Sequence, residues 1–135
     1  MSFLLDTNVV SEAGKRRPNA QVIGWLESVP ASDLFLSVVT LGEIRKGIEL
    51  KRRSSEQAAA RLDEWLQSLA LHYRSRTLVF DDAVADRWGR LMANYPNLSA
   101  EDGQLAATAL QHDLTLVTRN VRDIAPTGVP HFNPF

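Results

Sequence analysis

Residues Glu101–Ile124 read EDGQLAATALQHDLTLVTRNVRDI, and three patterns follow one another there. Asp102, Leu105, Ala106 and Ala109 recur at the i, i+3, i+4, i+7 spacing of one helix face, with Leu110 beside them. Leu114–Thr118 is then a continuous apolar run ending in a hydroxyl, as expected for a strand covered on both sides. A short helix is predicted to begin near Asn120. Helix, doubly covered strand and helix in direct succession point to an α/β architecture rather than an antiparallel one.

The same alternation extends toward both ends. Phe3–Leu5, Leu34–Ser37 and Thr77–Phe80 read as further short strands, and VPHFN near the C-terminus as a last one. Between them lie helical patterns. In NAQVIGWLESV, Val22, Ile23, Leu26 and Val29 share a face, and Pro30 helps to stop the helix. TLGEIRKGIEL carries Leu41, Ile44 and Ile48. SEQAAARLDEWLQSLALH is predicted to turn Ala58, Leu62, Trp65, Leu66 and Leu69 inward, and DDAVADRWGRLMANY is helical up to Pro96. LKRRSSEQ (Leu50–Gln57) reads as a polar connection. The expectation is one domain over residues 1–135, with a central, mainly parallel sheet of four to five strands flanked by helices. In such sheets sites form beyond the carboxyl ends of the strands.

Bulk properties narrow the chemistry. The chain has 135 residues, enough to bury a core without covalent staples, and no cysteine, which excludes disulfides, thiolate zinc and a cysteine nucleophile. A net charge of −1 gives no global attraction to nucleic acid, so any such binding must come from local patches. No apolar stretch approaches the roughly 20 residues that span a bilayer, and the N-terminus lacks signal-peptide character. A cytoplasmic protein without a membrane partner is the expectation.

Acids recur where strands give way to helices. Asp6 follows the first strand in SFLLDTNVVSE, Glu43 lies six residues after the second, Asp102 opens a helix, and Asn120 and Asp123 follow LTLVT. Each has a bland alternative. Asp6 caps a short helix; Thr40-Leu41-Gly42-Glu43 matches a capping box, as Ser99-Ala100-Glu101-Asp102 does more loosely; Asn120 is an N-cap with Asp123 in its first turn. Together they are less bland. Asp102 lies at the edge of an apolar helix face, and Glu43 shares a side with Gly47 rather than with Arg45 and Lys46. Inward-facing acids repel one another unless protonated or bound to a cation, and oxygen donors without thiolate suit Mg²⁺ or Mn²⁺.

Other features are weaker leads. His72, His112 and His131 are scattered. No nucleophile elbow, P-loop or dinucleotide fingerprint occurs. The cluster Arg45, Lys46, Lys51, Arg52 and Arg53 is either a solvated face or a guide for a phosphate backbone. Trp25, Trp65 and Trp88 fit packing better than base stacking.

LLDTNVVSE, TLGEIRKGIE, EDGQLAATALQHDLTLVTRNVRDI and the closing GVPHFNPF, in that order, resemble a PIN-domain toxin of the VapC type over nearly the whole chain. The resemblance implies a PIN-like fold and a metal-dependent endoribonuclease, the toxic half of a toxin–antitoxin pair, leaving 5′-phosphate products. It implies a cognate antitoxin that blocks the site and binds operator DNA, and a toxin homodimer, for which the apolar faces around Leu62 to Leu69 are candidates. It places the first three acids at Asp6, Glu43 and Asp102, holding Mg²⁺ or Mn²⁺ directly or through water. The fourth family position, often Asp, falls on Asn120, which leaves one ion or two open, with Asp123 as a compensating acid if it turns inward. Thr7, Asn8, Thr118 and Arg119 match supporting polar positions. Two other readings stay open. A non-catalytic module of the same fold would explain Asn120. An aspartate-nucleophile phosphatase would use Asp6, although that pattern wants a second acid where Asn8 stands.

Overall fold

The structure is a computed structural model describing residues 1–135. The elements run β1 (Phe3–Leu5), α1 (Thr7–Val10), α2 (Ala20–Ser28), β2 (Leu34–Ser37), α3 (Val38–Arg52), α4 (Glu56–His72), β3 (Thr77–Leu78), α5 (Asp82–Asn94), α6 (Ala100–Gln111), β4 (Thr115–Val117), α7 (Val121–Ile124) and β5 (His131–Phe132). Five strands form one parallel sheet in the order β3-β2-β1-β4-β5. The parallel α/β expectation holds, with five strands.

Successive strand residues point to opposite faces, and that alternation sorts the core into two layers. Leu5, Leu34, Leu36 and Val117 join Val22 of α2, Ile44 and Ile48 of α3, and Leu66 and Leu69 of α4. Leu4 and Leu116 point the other way, against Leu91 of α5, Leu105, Ala106 and Ala109 of α6, and Ile124 of α7. Helices on both faces explain the continuous apolar run of β4. No helix is long and apolar enough to cross a membrane.

Several local expectations shift. Helix α3 begins at Val38, capped by Ser37, whose hydroxyl accepts from the Val39 N–H at 3.0 Å. Thr40 is therefore inside the helix and fully buried, and the capping box at Thr40–Glu43 does not exist. Strand β2 passes into α3 without a loop. Helix α3 runs to Arg52 and α4 starts at Glu56, so the polar connection shrinks to residues 53–55. In α4 it is Ala59 rather than Ala58 that is fully buried. Leu66 and Leu69 are buried and Leu62 and Trp65 pack against the same core, so the face around Leu62 to Leu69 is used within the chain. Strand β3 stops at Leu78, leaving Val79 exposed, because only Leu36 and Ser37 are there to pair with.

The basic cluster divides. Arg45 and Arg52 are tied to Glu49 and Asp63, and Arg52 also to Glu56. Two of its five cations are thus paired along the α3–α4 seam, which favours the solvated-face reading. The tryptophans pack: Trp25 lies edge-on to Phe3 at 5.1 Å, and Trp88 donates to the Ala100 carbonyl.

Candidate active site at the strand ends

The three central strands, β2, β1 and β4, all deliver polar residues at their carboxyl ends. Asp6 follows β1 directly. Its backbone N–H still pairs with the Val117 carbonyl of β4 at 2.9 Å, so the strand ladder fixes its position. Its carboxylate is only 6% exposed and accepts from three donors. The Thr7 N–H lies 2.6 Å from Oδ1; the Thr118 hydroxyl at 2.7 Å and the Asn8 amide at 3.3 Å lie on Oδ2. Asp6 is thus an N-cap of α1 and a site residue at once.

Thr118, Arg119 and Asn120 follow β4. The Thr118 hydroxyl donates to Asp6 and accepts from the Asn120 N–H at 3.0 Å, joining two strand ends. The Arg119 N–H donates to Asn8 Oδ1 at 3.2 Å, and its guanidinium lies over the Phe135 ring at 4.3 Å. Asn120 occupies the N-cap position of α7 but makes no capping bond with its side chain. Its amide instead donates to Asp102 Oδ2 at 2.6 Å. The cap alternative for Asn120 is thereby excluded: it is an amide turned onto a carboxylate.

Glu43 and Asp102 come from helices on either side. Freed from capping, Glu43 accepts from the Thr7 hydroxyl at 3.1 Å. Asp102 sits in the first turn of α6, where the Ser99 hydroxyl accepts from its N–H at 3.1 Å; Ser99 is the expected cap. Two short relays result, Glu43–Thr7–Asp6–Thr118 and Asp102–Asn120. The bond from the Asn120 N–H to Thr118 links them.

All three carboxylates are held above their ordinary range. For Asp6 burial dominates, opposed by the Thr118 and Thr7 hydrogen bonds, while the charge of Asp102 adds to the rise. For Glu43 burial again leads, with Asp6, Glu101 and Asp102 contributing repulsion. Asp102 is raised by burial, then by the charges of Asp123 and Glu101. No ion pair of the chain involves any of the three. A site of like charges lacking a cation favours a bound one.

The donors are all oxygens, the set that magnesium and manganese take. No three acidic or imidazole groups close into a metal cage. An ion held here would keep several of its waters, and Asp6, Asp102 and Glu43 are the residues that would contribute to it. Asp123 is exposed and acts on Asp102 through charge alone, without turning inward to replace the acid absent at Asn120. Two acids escaped the sequence reading. Glu101 adds charge at the rim. Glu12 is 4% exposed, accepts from the Asn19 N–H at 2.8 Å and pairs with Lys15. Nothing local to Glu12 signals burial, since its partners follow only after the chain turns.

The family model of the PIN domain matches residues 3–125. Toxin FitB of Neisseria gonorrhoeae is 36% identical over 98% of this chain and 98% of its own. A VapC ribonuclease, Y4jK, of Sinorhizobium fredii is 33% identical over 98% of this chain and 97% of its own. The solved structure of FitAB bound to an IR36 DNA fragment superposes with a TM-score of 0.82 at 34% identity, covering 98% of this chain and 94% of that one. The chain belongs to the PIN-domain family, among its toxins of the VapC type.

Proposed function

We propose that the chain is a single-domain, Mg²⁺- or Mn²⁺-dependent endoribonuclease, the toxin of a type II toxin–antitoxin pair acting in the cytoplasm. One observation carries this reading: Asp6, Glu43 and Asp102 come from separate parts of the chain, Thr7 bonds to both Asp6 and Glu43, the charge of Asp102 reaches both of those acids, and no cation is paired to any of the three.

Asp6 and Asp102 would hold the ion, with Glu43 ligating it or orienting a water. The ion, when bound, lowers the pKa of an attacking water and stabilises charge on the phosphoryl oxygen. Asp6 is kept rigid by its three donors, so it presents a fixed lone-pair direction. Glu43, whose carboxylate accepts from the Thr7 hydroxyl, would take the proton of the attacking water. Asn120 holds Asp102 in place through its amide and contributes no charge of its own. Thr118 positions Asp6, and Asn8 and Arg119 brace the rim.

Asn8 argues against the phosphatase alternative. Its amide donates to Asp6 and its carbonyl accepts from Arg119, so it is a positioning group rather than a proton carrier. The partner reading is a cognate antitoxin that would block the site, operator DNA met only through the toxin–antitoxin complex, and a toxin homodimer; the DNA-bound FitAB structure supports its DNA part. An apolar groove of about 570 Å³ between α2 and α4, lined by Ile23, Leu26, Trp65 and Leu69 among others, offers such a protein partner an apolar bed.

The test is direct. The purified chain is expected to cleave defined RNAs with Mg²⁺ and to stop when a chelator is added. Expression alone should arrest growth, a neighbouring antitoxin frame should relieve it, and Asp102→Ala should abolish the arrest. Cleavage unaffected by chelator would overturn the metal-dependent reading.

A further inference from the structure

The loop between α5 and α6, together with α7, encloses a second cavity of about 340 Å³. That is near the small end of ligand pockets, roughly 300–1,000 Å³, and suits one heterocycle rather than a duplex. Its construction starts in the sequence Tyr95-Pro96-Asn97-Leu98. The Leu98 N–H donates to the Tyr95 carbonyl at 3.0 Å and closes a turn with Pro96 at its second position, where the fixed proline φ stiffens it. Tyr95 packs partly against the α5–α6 core and lines the cavity with the rest of its surface. Asn94 and Asn97 present exposed carboxamides to the same space, and Arg122 and Asp123 close it from α7. Arg122 takes part in none of the chain's ion pairs.

The cavity lies beside the carboxylates: Asp123, in its wall, is close enough to Asp102 for its charge to act there. Leu98 directly precedes Ser99, the cap that sets Asp102, and α7 directly follows Asn120. The loop that leads into α6 and helix α7, which flank Asp102 and Asn120, therefore form the walls of the cavity. An aromatic ring, two carboxamides and an unpaired guanidinium are what an unstacked base and its phosphate require. Single-stranded RNA is read by stacking bases on aromatic rings and hydrogen-bonding their edges, and an arginine suits the phosphate.

We propose that this cavity is a nucleobase subsite: it takes one unstacked base of single-stranded RNA next to the phosphate over Asp6, Glu43 and Asp102. Tyr95 is the stacking surface, Asn94 and Asn97 read the base edge, and Arg122 meets the adjoining phosphate. The subsite rests on the ribonuclease reading and supplies the sequence preference that the carboxylates alone cannot.

Two measurements test it. The first maps the cut sites of wild type, Tyr95→Ala, Tyr95→Phe and Asn97→Ala on a randomised RNA pool. Wild type and Tyr95→Phe should share a preference at one position beside the cut. Tyr95→Ala and Asn97→Ala should flatten it and raise KM about tenfold, the scale of one lost base stack, with kcat little changed. Asn97 is an exposed turn residue, so its variant tests the subsite even if Tyr95→Ala folds poorly. The second measures anisotropy of a labelled RNA with chelator present, replacing each base in turn by an abasic residue. One replacement should weaken wild type about tenfold and leave Tyr95→Ala or Asn97→Ala unaffected. Cleavage with an unchanged position profile in folded Tyr95→Ala and Asn97→Ala overturns the subsite and leaves the ribonuclease reading intact. Absence of cleavage with the abasic coupling present overturns the ribonuclease reading and leaves the subsite. Neither cleavage nor coupling overturns both.

Discussion

Glu43 and Glu49 stand on the same helix, yet their surroundings are opposite. Glu49 lies at the exposed α3–α4 seam, between Arg45 and Arg52, with Asp63 of α4 bonded to the same two arginines. Hydrogen bonds from Arg52 and Arg45 hold Glu49 and Asp63 below the usual carboxylate range. Glu43, at the strand ends, has a hydroxyl for a partner and three acids for neighbours, and burial lifts it above that range. The seam neutralises its charges in water, where ion pairs are screened and worth little. The opening leaves its charges uncompensated in partial burial, which costs stability. Charge is retained uncompensated where a ligand is to supply the counter-charge, and a stability cost at the opening is therefore the mark of function.

The largest effect expected from breaking this contrast is on activity. Asp6→Asn should reduce RNA cleavage below detection while the thermal midpoint stays within a few degrees of wild type or rises. The substitution removes a buried charge that repels Asp102, and such sites trade stability for activity. Cleavage rates and thermal melts on the same preparation check both halves. Next comes Asn120→Asp, which replaces the bond to Asp102 by a second carboxylate at that spot. The metal-free chain should lose about 1–3 kcal/mol in urea unfolding. Added Mg²⁺ should recover more stability than it does for wild type, since a ligand that binds only the folded state stabilises it. A variant as stable as wild type without metal would show that the two residues are not coupled.

A third test uses pH. Glu43 is raised above its ordinary 4.5, so the folded chain holds that proton more tightly than the unfolded chain. The stability it contributes is whole below 4.5 and is lost as pH rises through the raised value. Glu49, lowered from the same 4.5, behaves in reverse: its contribution is present above 4.5 and lost as pH falls through the lowered value. Melts of metal-free Glu43→Gln across pH should therefore show a shallower loss on the alkaline side than wild type. An unchanged slope would locate the repulsion elsewhere. The smallest effect belongs to the seam: Asp63→Asn should leave both the midpoint at neutral pH and RNA cleavage close to wild type. A marked loss of cleavage would mean that the seam positions α3, and with it Glu43.

The frame was legible because its signals are local or periodic. A doubly apolar β4, the α6 face and acids just past strands all appear within short windows, and they are enough to place Asp6, Glu43 and Asp102 at one edge of a parallel sheet. Side-chain pairing was not legible. Asn120 looks like a cap in sequence, and only the approach of α6 turns its amide onto Asp102. Thr40 and Ser37 both look like caps for α3. The decision falls to Ser37 because β2 pairs along its whole length and hands over to the helix at once. The Tyr95 turn carries no chemical signature until α7, far away in sequence, meets it.

The hydrogen bond from Thr118 to Asp6 spans 112 positions of chain. Its consequence is one of timing. Translation runs in one direction, so Asp6 is made before the other two acids and then waits. The helices that carry Glu43 and Asp102 are synthesised before the hydroxyl that orients Asp6, and the strand that seats Asp6 in the middle of the sheet comes just ahead of that hydroxyl. An unfinished chain can thus hold all three acids and still lack the site. On the function proposed above, the hazard to the cell would appear only once β4 and Thr118 have been made.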